Sequence, residues 1–140
     1  IEDVKKNIGP ALNRNEIVIM DRYYLSNIAY QGARGLDPDE IEKKNLEIAP
    51  RPTLTIILDA SPRVTLARIK NYRSIKPNFE RERYLNKVRQ IFKGRFSGLP
   101  DVEIIDGGRS IDEISLHIYN IIKPIIDNML VSEDPHRPHG

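Results

Sequence analysis

The sequence predicts an α/β protein with a parallel sheet. Three apolar, β-rich runs stand out, at Glu16–Met20 (EIVIM), Thr53–Leu58 (TLTIIL) and Val102–Ile105 (VEII). The first two are apolar almost throughout rather than alternating, as strands covered on both faces are. Segments of helical character lie between them. The order strand, helix, strand, helix, strand is that of parallel neighbours joined by crossovers.

Each helix has a local reason. The opening IEDVKKNIGPAL reads as the middle of a helix, and the chain begins with Ile1 rather than Met, so a piece of a longer protein is expected. In LDPDE, Asp37 is the N-cap, Pro38 takes the first helical position and Glu40 closes a capping box. Ser61 caps the next helix with Pro62 behind it. Further on, Leu85, Val88, Ile91 and Phe92 form an apolar face opposite Arg81, Arg83, Lys87 and Arg89. Ser110 is an N-cap with Glu113 three residues on. Behind it Ile111, Ile114, Ile118, Ile121, Ile122 and Ile125 line one stripe of a long final helix. The end, SEDPHRPHG, is polar and broken by proline. Residues 1–130 are therefore expected to form the domain and 131–140 a disordered tail. His136 and His139 there are expected to be idle rather than metal ligands.

Composition narrows the classes of function. The chain has 140 residues, 39% of them apolar and 30% charged, enough for one soluble domain with a real core. It has no cysteine, which excludes disulfide, zinc-thiolate and cysteine-nucleophile chemistry. No apolar run approaches the ~20 residues of a membrane span. No signal peptide is visible, and a cytoplasmic location without membrane contact is expected. The net charge is only +2 but unevenly spread, with eleven Lys and Arg against two Glu between Arg63 and Arg95. That stretch is either a solvated helix face or a surface that meets phosphates.

All three predicted strands end in an acid: Asp21, Asp59 and Asp106. Ligands of open parallel sheets bind outside the carboxyl ends of the strands. Asp59 and Asp106 have structural readings, as a cap before Ser61-Pro62 and as the start of an Asp-Gly-Gly turn. Asp21-Arg22 is set apart by the residues after it. If Tyr23–Gln31 is helical, Ser26 and Tyr30 share a face, with Asn27 and Gln31 beside them. Small Ala29 permits close approach. Four hydrogen-bonding groups then gather next to an acid that can hold a metal or its water and an arginine whose planar fork suits phosphate. This is the layout of a pocket that reads a planar polar ring attached to a phosphate.

The segment DRYYLSNIAYQG closely resembles the Asp-Arg-Tyr segment of thymidylate kinases. PTLTIILDASPRVTLARI resembles that family's next strand and helix, NFERERYLNKVRQIF its lid, and VEIIDGGRSIDEI its last strand and turn. The resemblance runs from about Asn13 to Ile122. It implies a three-layer P-loop NTPase-type parallel sheet with helices on both faces, and transfer of the γ-phosphoryl of ATP to dTMP with Mg2+. By resemblance, Arg22 orients the dTMP phosphate and Asp21 acts on the magnesium side through water. Ser26, Asn27 and Gln31 bind or support thymine, and Tyr30 lies against the sugar, where its bulk penalises a ribose 2′-hydroxyl. The lid, about residues 68–82, offers Arg68, Arg73 and Lys76 to the ATP phosphates, with Arg73 as the catalytic choice. Here Pro77-Asn78 precede Phe79-Glu80 where the family usually has Asp-Arg, so which cation enters the site is open. Asp106, Gly107 and Gly108 lie near adenine. A homodimer is implied, and no nucleic-acid partner. No Gly-x-x-x-x-Gly-Lys-Ser/Thr loop occurs in the chain, and neither do the aromatic and arginine that usually cover thymine ahead of Asp21. The 140 residues alone are expected to be inactive. Two other readings remain: a related nucleotide kinase with another base preference, and a non-catalytic nucleotide- or nucleic-acid-binding module that uses the basic stretch.

Overall fold

A computed structural model describes residues 2–72 and 79–132. The expected α/β character is present. A π-helical turn at Val4–Ile8 runs into α1 (Gly9–Asn13) and is succeeded by α2 (Tyr24–Gly32), α3 (Pro38–Leu46), β1 (Thr55–Asp59), α4 (Pro62–Tyr72), α5 (Phe79–Phe96), β2 (Val102–Asp106) and α6 (Ile111–Ser132). β1 and β2 pair in parallel, with Thr55 opposite Val102 and Asp59 opposite Asp106. The crossover between them carries α4 and α5, as parallel strands require. The register sets both terminal acids side by side at one end of the sheet.

The predicted strand at Glu16–Met20 is not a strand. Residues 16–20 have no regular secondary structure, and among the described residues no strand lies alongside them. Ile17 and Ile19 are 63% and 89% exposed. β structure is made by the partner's N–H and C=O groups as much as by the run's own side chains, so apolar β-formers alone do not make a strand.

α2 is the centre of the core. Tyr24, Leu25, Ile28 and Ala29 are buried, a stripe at helical spacing. Tyr24, Leu25 and Ile28 cluster with Phe96 of α5 and Val102 of β2, with Ile57 and Ile104 of the sheet against them. On the next strip Ala29 and Ala33 meet Val88, and Tyr84 and Ile91 add to the contact. Ala29 thus admits α5, not a ligand. Gly32 ends α2 between two neighbours. A Cβ there would lie 3.0 Å from Ile91 Cδ1 and 3.1 Å from Pro38 Cγ.

The capping signals hold in most places. Asp37 accepts from the Asp39 N–H at 2.9 Å, and the Val64 N–H reaches Ser61 Oγ at 3.3 Å. At α6 the box is reciprocal: the Ser110 N–H donates to Glu113 Oε2 at 3.0 Å and the Glu113 N–H to Ser110 Oγ at 3.3 Å. The Ser110 bonds hold the Glu113 carboxyl below its usual pKa. Arg95 of α5 pairs with Asp39 and Glu42 of α3, tying these helices together. Along α6, Ile114, Ile118, Ile121, Ile122 and Ile125 are half-buried, while Ile111 at its start is 82% exposed. Pro124 lies inside this helix without ending it. Among the described residues no helix is long and apolar enough to cross a membrane.

Candidate active site

The residues singled out from sequence fall into two groups. The first surrounds the start of α2. Tyr23, with extended backbone, precedes the helix and takes its N-cap position, so the predicted helical face exists. The Ser26 N–H donates to Tyr23 C=O at 3.0 Å. Asn27 and Gln31, one turn apart, are joined by Gln31 Nε2 donating to Asn27 Oδ1 at 2.8 Å. That bond leaves the Asn27 amide nitrogen and the Gln31 carbonyl oxygen to read a complementary edge.

Arg22 has φ of 68°, in the left-handed region that side chains other than glycine rarely occupy. Such a residue stores roughly 1–2 kcal/mol of strain, and strained residues of this kind gather at ligand clamps. The turn lays the guanidinium over the Tyr30 ring, 4.6 Å from its centroid. Arg22 and Tyr30 are thereby brought together, with the exposed fork free of any described carboxylate. Asp21 is also exposed and makes no described hydrogen bond or salt bridge. A single carboxylate fits Mg2+, which keeps most of its waters and takes substrate phosphates as ligands. Among the described residues there is no cluster of three metal-ligating side chains.

Tyr23 completes the Asp-Arg-Tyr motif, and the sequence assigns it no role of its own. Its hydroxyl is buried without a hydrogen-bond partner among the described residues, and burial, with some help from Asp3, pushes its pKa up.

The second group stands at the sheet's carboxyl end. Asp106 Oδ1 accepts from the Gly108 N–H at 2.8 Å, the Asx turn expected of Asp-Gly-Gly. The Gly107 N–H donates to Asp59 C=O at 2.8 Å. A Cβ on Gly107 would sit 3.3 Å from that oxygen and 3.4 Å from Leu58 Cβ, so glycine allows this close approach. Arg68, expected at phosphates, spends Nη1 on Gly107 C=O at 2.8 Å and fastens α4 to the turn. Arg73 and Lys76 lie outside the described residues, as do His136 and His139 of the tail.

Asp59, expected to cap a turn, instead carries an ion-pair network. Arg89 of α5 grips it with Nε at 2.6 Å and Nη2 at 2.9 Å, and Lys93 approaches at 3.4 Å. The Arg89 hydrogen bonds hold the Asp59 carboxyl below its usual pKa, against the opposing effect of burial and with help from Lys93. In-register Asp59 and Asp106 would otherwise repel. The basic stretch is therefore not simply a phosphate-facing surface, since Arg89, Lys93 and Arg95 are engaged by acids.

No direct contact is described between the α2 group and the Gly107 turn; α5 links them. Tyr84 donates its hydroxyl to Tyr30 C=O at 2.9 Å, and Arg89, five residues on, holds Asp59. A phosphate-ready arginine beside a carboxylate, a helix face of amides and a glycine turn at a sheet's carboxyl end are the parts of a nucleotide-binding α/β protein.

Comparison with known proteins narrows this class. A family model described as Thymidylate kinase matches residues 1–118, and the chain belongs to the thymidylate kinase family. It is 38% identical over 125 residues to a probable thymidylate kinase of Archaeoglobus fulgidus, covering 89% of this chain and 62% of that protein. It is 37% identical over 139 residues to a thymidylate kinase of Xanthomonas euvesicatoria, covering 99% of this chain and 60% of the relative. Against a thymidylate kinase of Xanthomonas oryzae the identity is 40% over 121 residues, 86% of this chain and 52% of the relative. The chain thus spans between half and two thirds of the length of these relatives.

Proposed function

We propose that the intact protein carrying this chain is a thymidylate kinase, which moves the γ-phosphoryl group of ATP onto dTMP to give dTDP and ADP. The observation that carries the reading is Arg22, held in a left-handed turn with its guanidinium on Tyr30 and its fork free beside Asp21. Such chemistry needs positioning and charge neutralisation rather than a protein nucleophile. An oxygen of the dTMP phosphate attacks Pγ, the bond from Pγ to the β–γ bridging oxygen breaks, and ADP leaves with that electron pair. Arg22 orients the attacking phosphate and stabilises the charge spread over the transferring group. Asp21 would hold Mg2+ through water, and the ion when bound neutralises phosphate charge. Asn27 and Gln31, oriented by their mutual bond, meet the thymine edge with Ser26 in support. Tyr30 lies against the sugar and disfavours a 2′-hydroxyl by bulk. Asp106, Gly107 and Gly108 receive adenine, with Arg68 keeping the turn in place. Arg73 and Lys76 are assigned to the ATP phosphates on family grounds, within a lid of about residues 68–82.

Family membership also supports a homodimer acting in the cytoplasm. Leu116 and Tyr119 of α6, both more than half exposed, are candidates for the interface. Light scattering would return twice the protomer mass.

The test is ADP release from ATP and Mg2+ by the intact protein, with dTMP and then other nucleoside monophosphates as acceptor. Turnover with dTMP, higher than with any other acceptor, is expected. Faster turnover with another base would overturn the substrate. No acceptor-dependent ADP release at all would overturn the reaction.

A further inference from the structure

We propose that Arg89 is a positioning residue for nucleotide binding. By gripping Asp59 it fixes the Gly107–Gly108 turn relative to the α2 face, although it belongs to neither group. The inference rests on the kinase reading, since it assigns the turn to ATP.

The connection is short and has little slack. Arg89 meets both carboxylate oxygens of Asp59 in fork geometry. Asp59 is the last residue of β1, and its own C=O takes the Gly107 N–H at 2.8 Å. Gly107 is already so close to β1 that even a Cβ would meet the Asp59 oxygen at 3.3 Å. A shift of Asp59 is therefore passed to the turn. At its other attachment the same helix donates the Tyr84 hydroxyl to Tyr30 C=O. One rigid helix thus carries a bond to each half of the site five residues apart, about 7.5 Å along its axis at 1.5 Å per residue. Phosphoryl transfer tolerates little error in the distance between its two substrates.

A plain surface ion pair would contribute little and would not need this residue type. Arg89 is more than that because only a planar fork fixes the orientation of the carboxylate, not merely its charge. Lys93, at 3.4 Å from one oxygen, adds charge but cannot supply the fork.

The experiment uses the intact protein with Arg89→Ala, Arg89→Lys, Asp59→Ala and the Arg89→Ala/Asp59→Ala double variant. Two readouts are taken: KM for ATP and for dTMP, and hydrogen exchange of the Gly107 amide by NMR without nucleotide. Removing either partner is expected to raise KM for ATP about tenfold, in the range of coupling between groups in contact. KM for dTMP is expected to stay unchanged, and exchange of the Gly107 amide to speed up by a similar factor. The double variant should be no worse than either single one, and Arg89→Lys should fall between wild type and Arg89→Ala. Unchanged Gly107 exchange in a folded Arg89→Ala protein would overturn the proposal. So would equal rises in both KM values, or additive effects in the double variant. If the wild type shows no dTMP-dependent turnover, the kinase reading fails by itself, and Gly107 exchange still decides whether Arg89 holds the turn.

Discussion

Arg22 permits a test in which the usual order of two substitutions reverses. In a helix, Gly is less stable than Ala by about 1 kcal/mol. At Arg22 the backbone is left-handed, with φ of 68°. An L-residue there pays roughly 1–2 kcal/mol that glycine does not. Against this, glycine brings extra freedom to the unfolded chain, worth about 0.4–1 kcal/mol. Arg22→Gly should therefore be more stable than Arg22→Ala by about 0.8 kcal/mol at the centre of these ranges, and by roughly 1.6 kcal/mol at most. Both variants lose the contact of the guanidinium with Tyr30, worth about 0.5–1 kcal/mol at an exposed site. Relative to wild type, Arg22→Gly is then nearly neutral and Arg22→Ala destabilised. Urea unfolding of the intact protein gives both differences. The pair Asn27→Gly and Asn27→Ala, on an exposed position inside α2, serves as the control and should show the ordinary order. Both Arg22 variants should lose about 100-fold or more in dTMP-dependent turnover, as loss of a donor aimed at transition-state charge does. Equal or higher stability of Arg22→Ala would refute the strained turn. Turnover within about threefold of wild type would refute the role of the guanidinium.

Three other outcomes are expected. Ile28 is fully buried, so Ile28→Ala should lower the unfolding free energy by about 2–5 kcal/mol, read from the urea midpoint at unchanged slope. Asp59 has its pKa held below the usual 3.8, so its stabilisation is present at neutral pH and is lost as pH falls through the lowered value. Asp59→Asn should thus be less stable at pH 7, and its stability should fall less steeply than wild type below about pH 4; parallel curves from pH 7 down to 2 would contradict the ion pair. Tyr30→Ala should relax discrimination against nucleotides with a 2′-hydroxyl by about tenfold or more in kcat/KM, and unchanged selectivity would remove Tyr30 from the sugar site.

What could be read from the sequence was what local chemistry decides. The box at Ser110 and Glu113 and the cap at Asp37 each involve groups within three residues, and each formed. β1 and β2 were visible because their runs are apolar and found a partner in each other. Glu16–Met20 has the same composition, yet strand formation depends on a neighbour that composition does not report. The Arg89–Asp59 pair joins residues 30 apart, and nothing local separates Arg89 from the other cations of its helix. The resemblance to the family's lid makes Arg68 a candidate phosphate ligand, while its bond goes to a backbone carbonyl 39 residues away. The left-handed turn at Arg22 carries no glycine or asparagine to announce it.

That turn also shows what holds the site. A strained residue persists only where its surroundings over-determine it. Among the described residues the segment before Arg22 does little of this, since no strand pairs with residues 16–20 and Ile19 is 89% exposed. The segment after it does more. Tyr24, Leu25, Ile28 and Ala29 are all buried within seven residues of Arg22. Burial of each large side chain among them contributes about 1.5–3 kcal/mol, so any two exceed the roughly 1–2 kcal/mol stored in the turn. The position of the guanidinium is therefore fixed from the helix side, by the same core that holds α5. Because α5 also grips Asp59, loosening the α2 core should disturb both halves of the site.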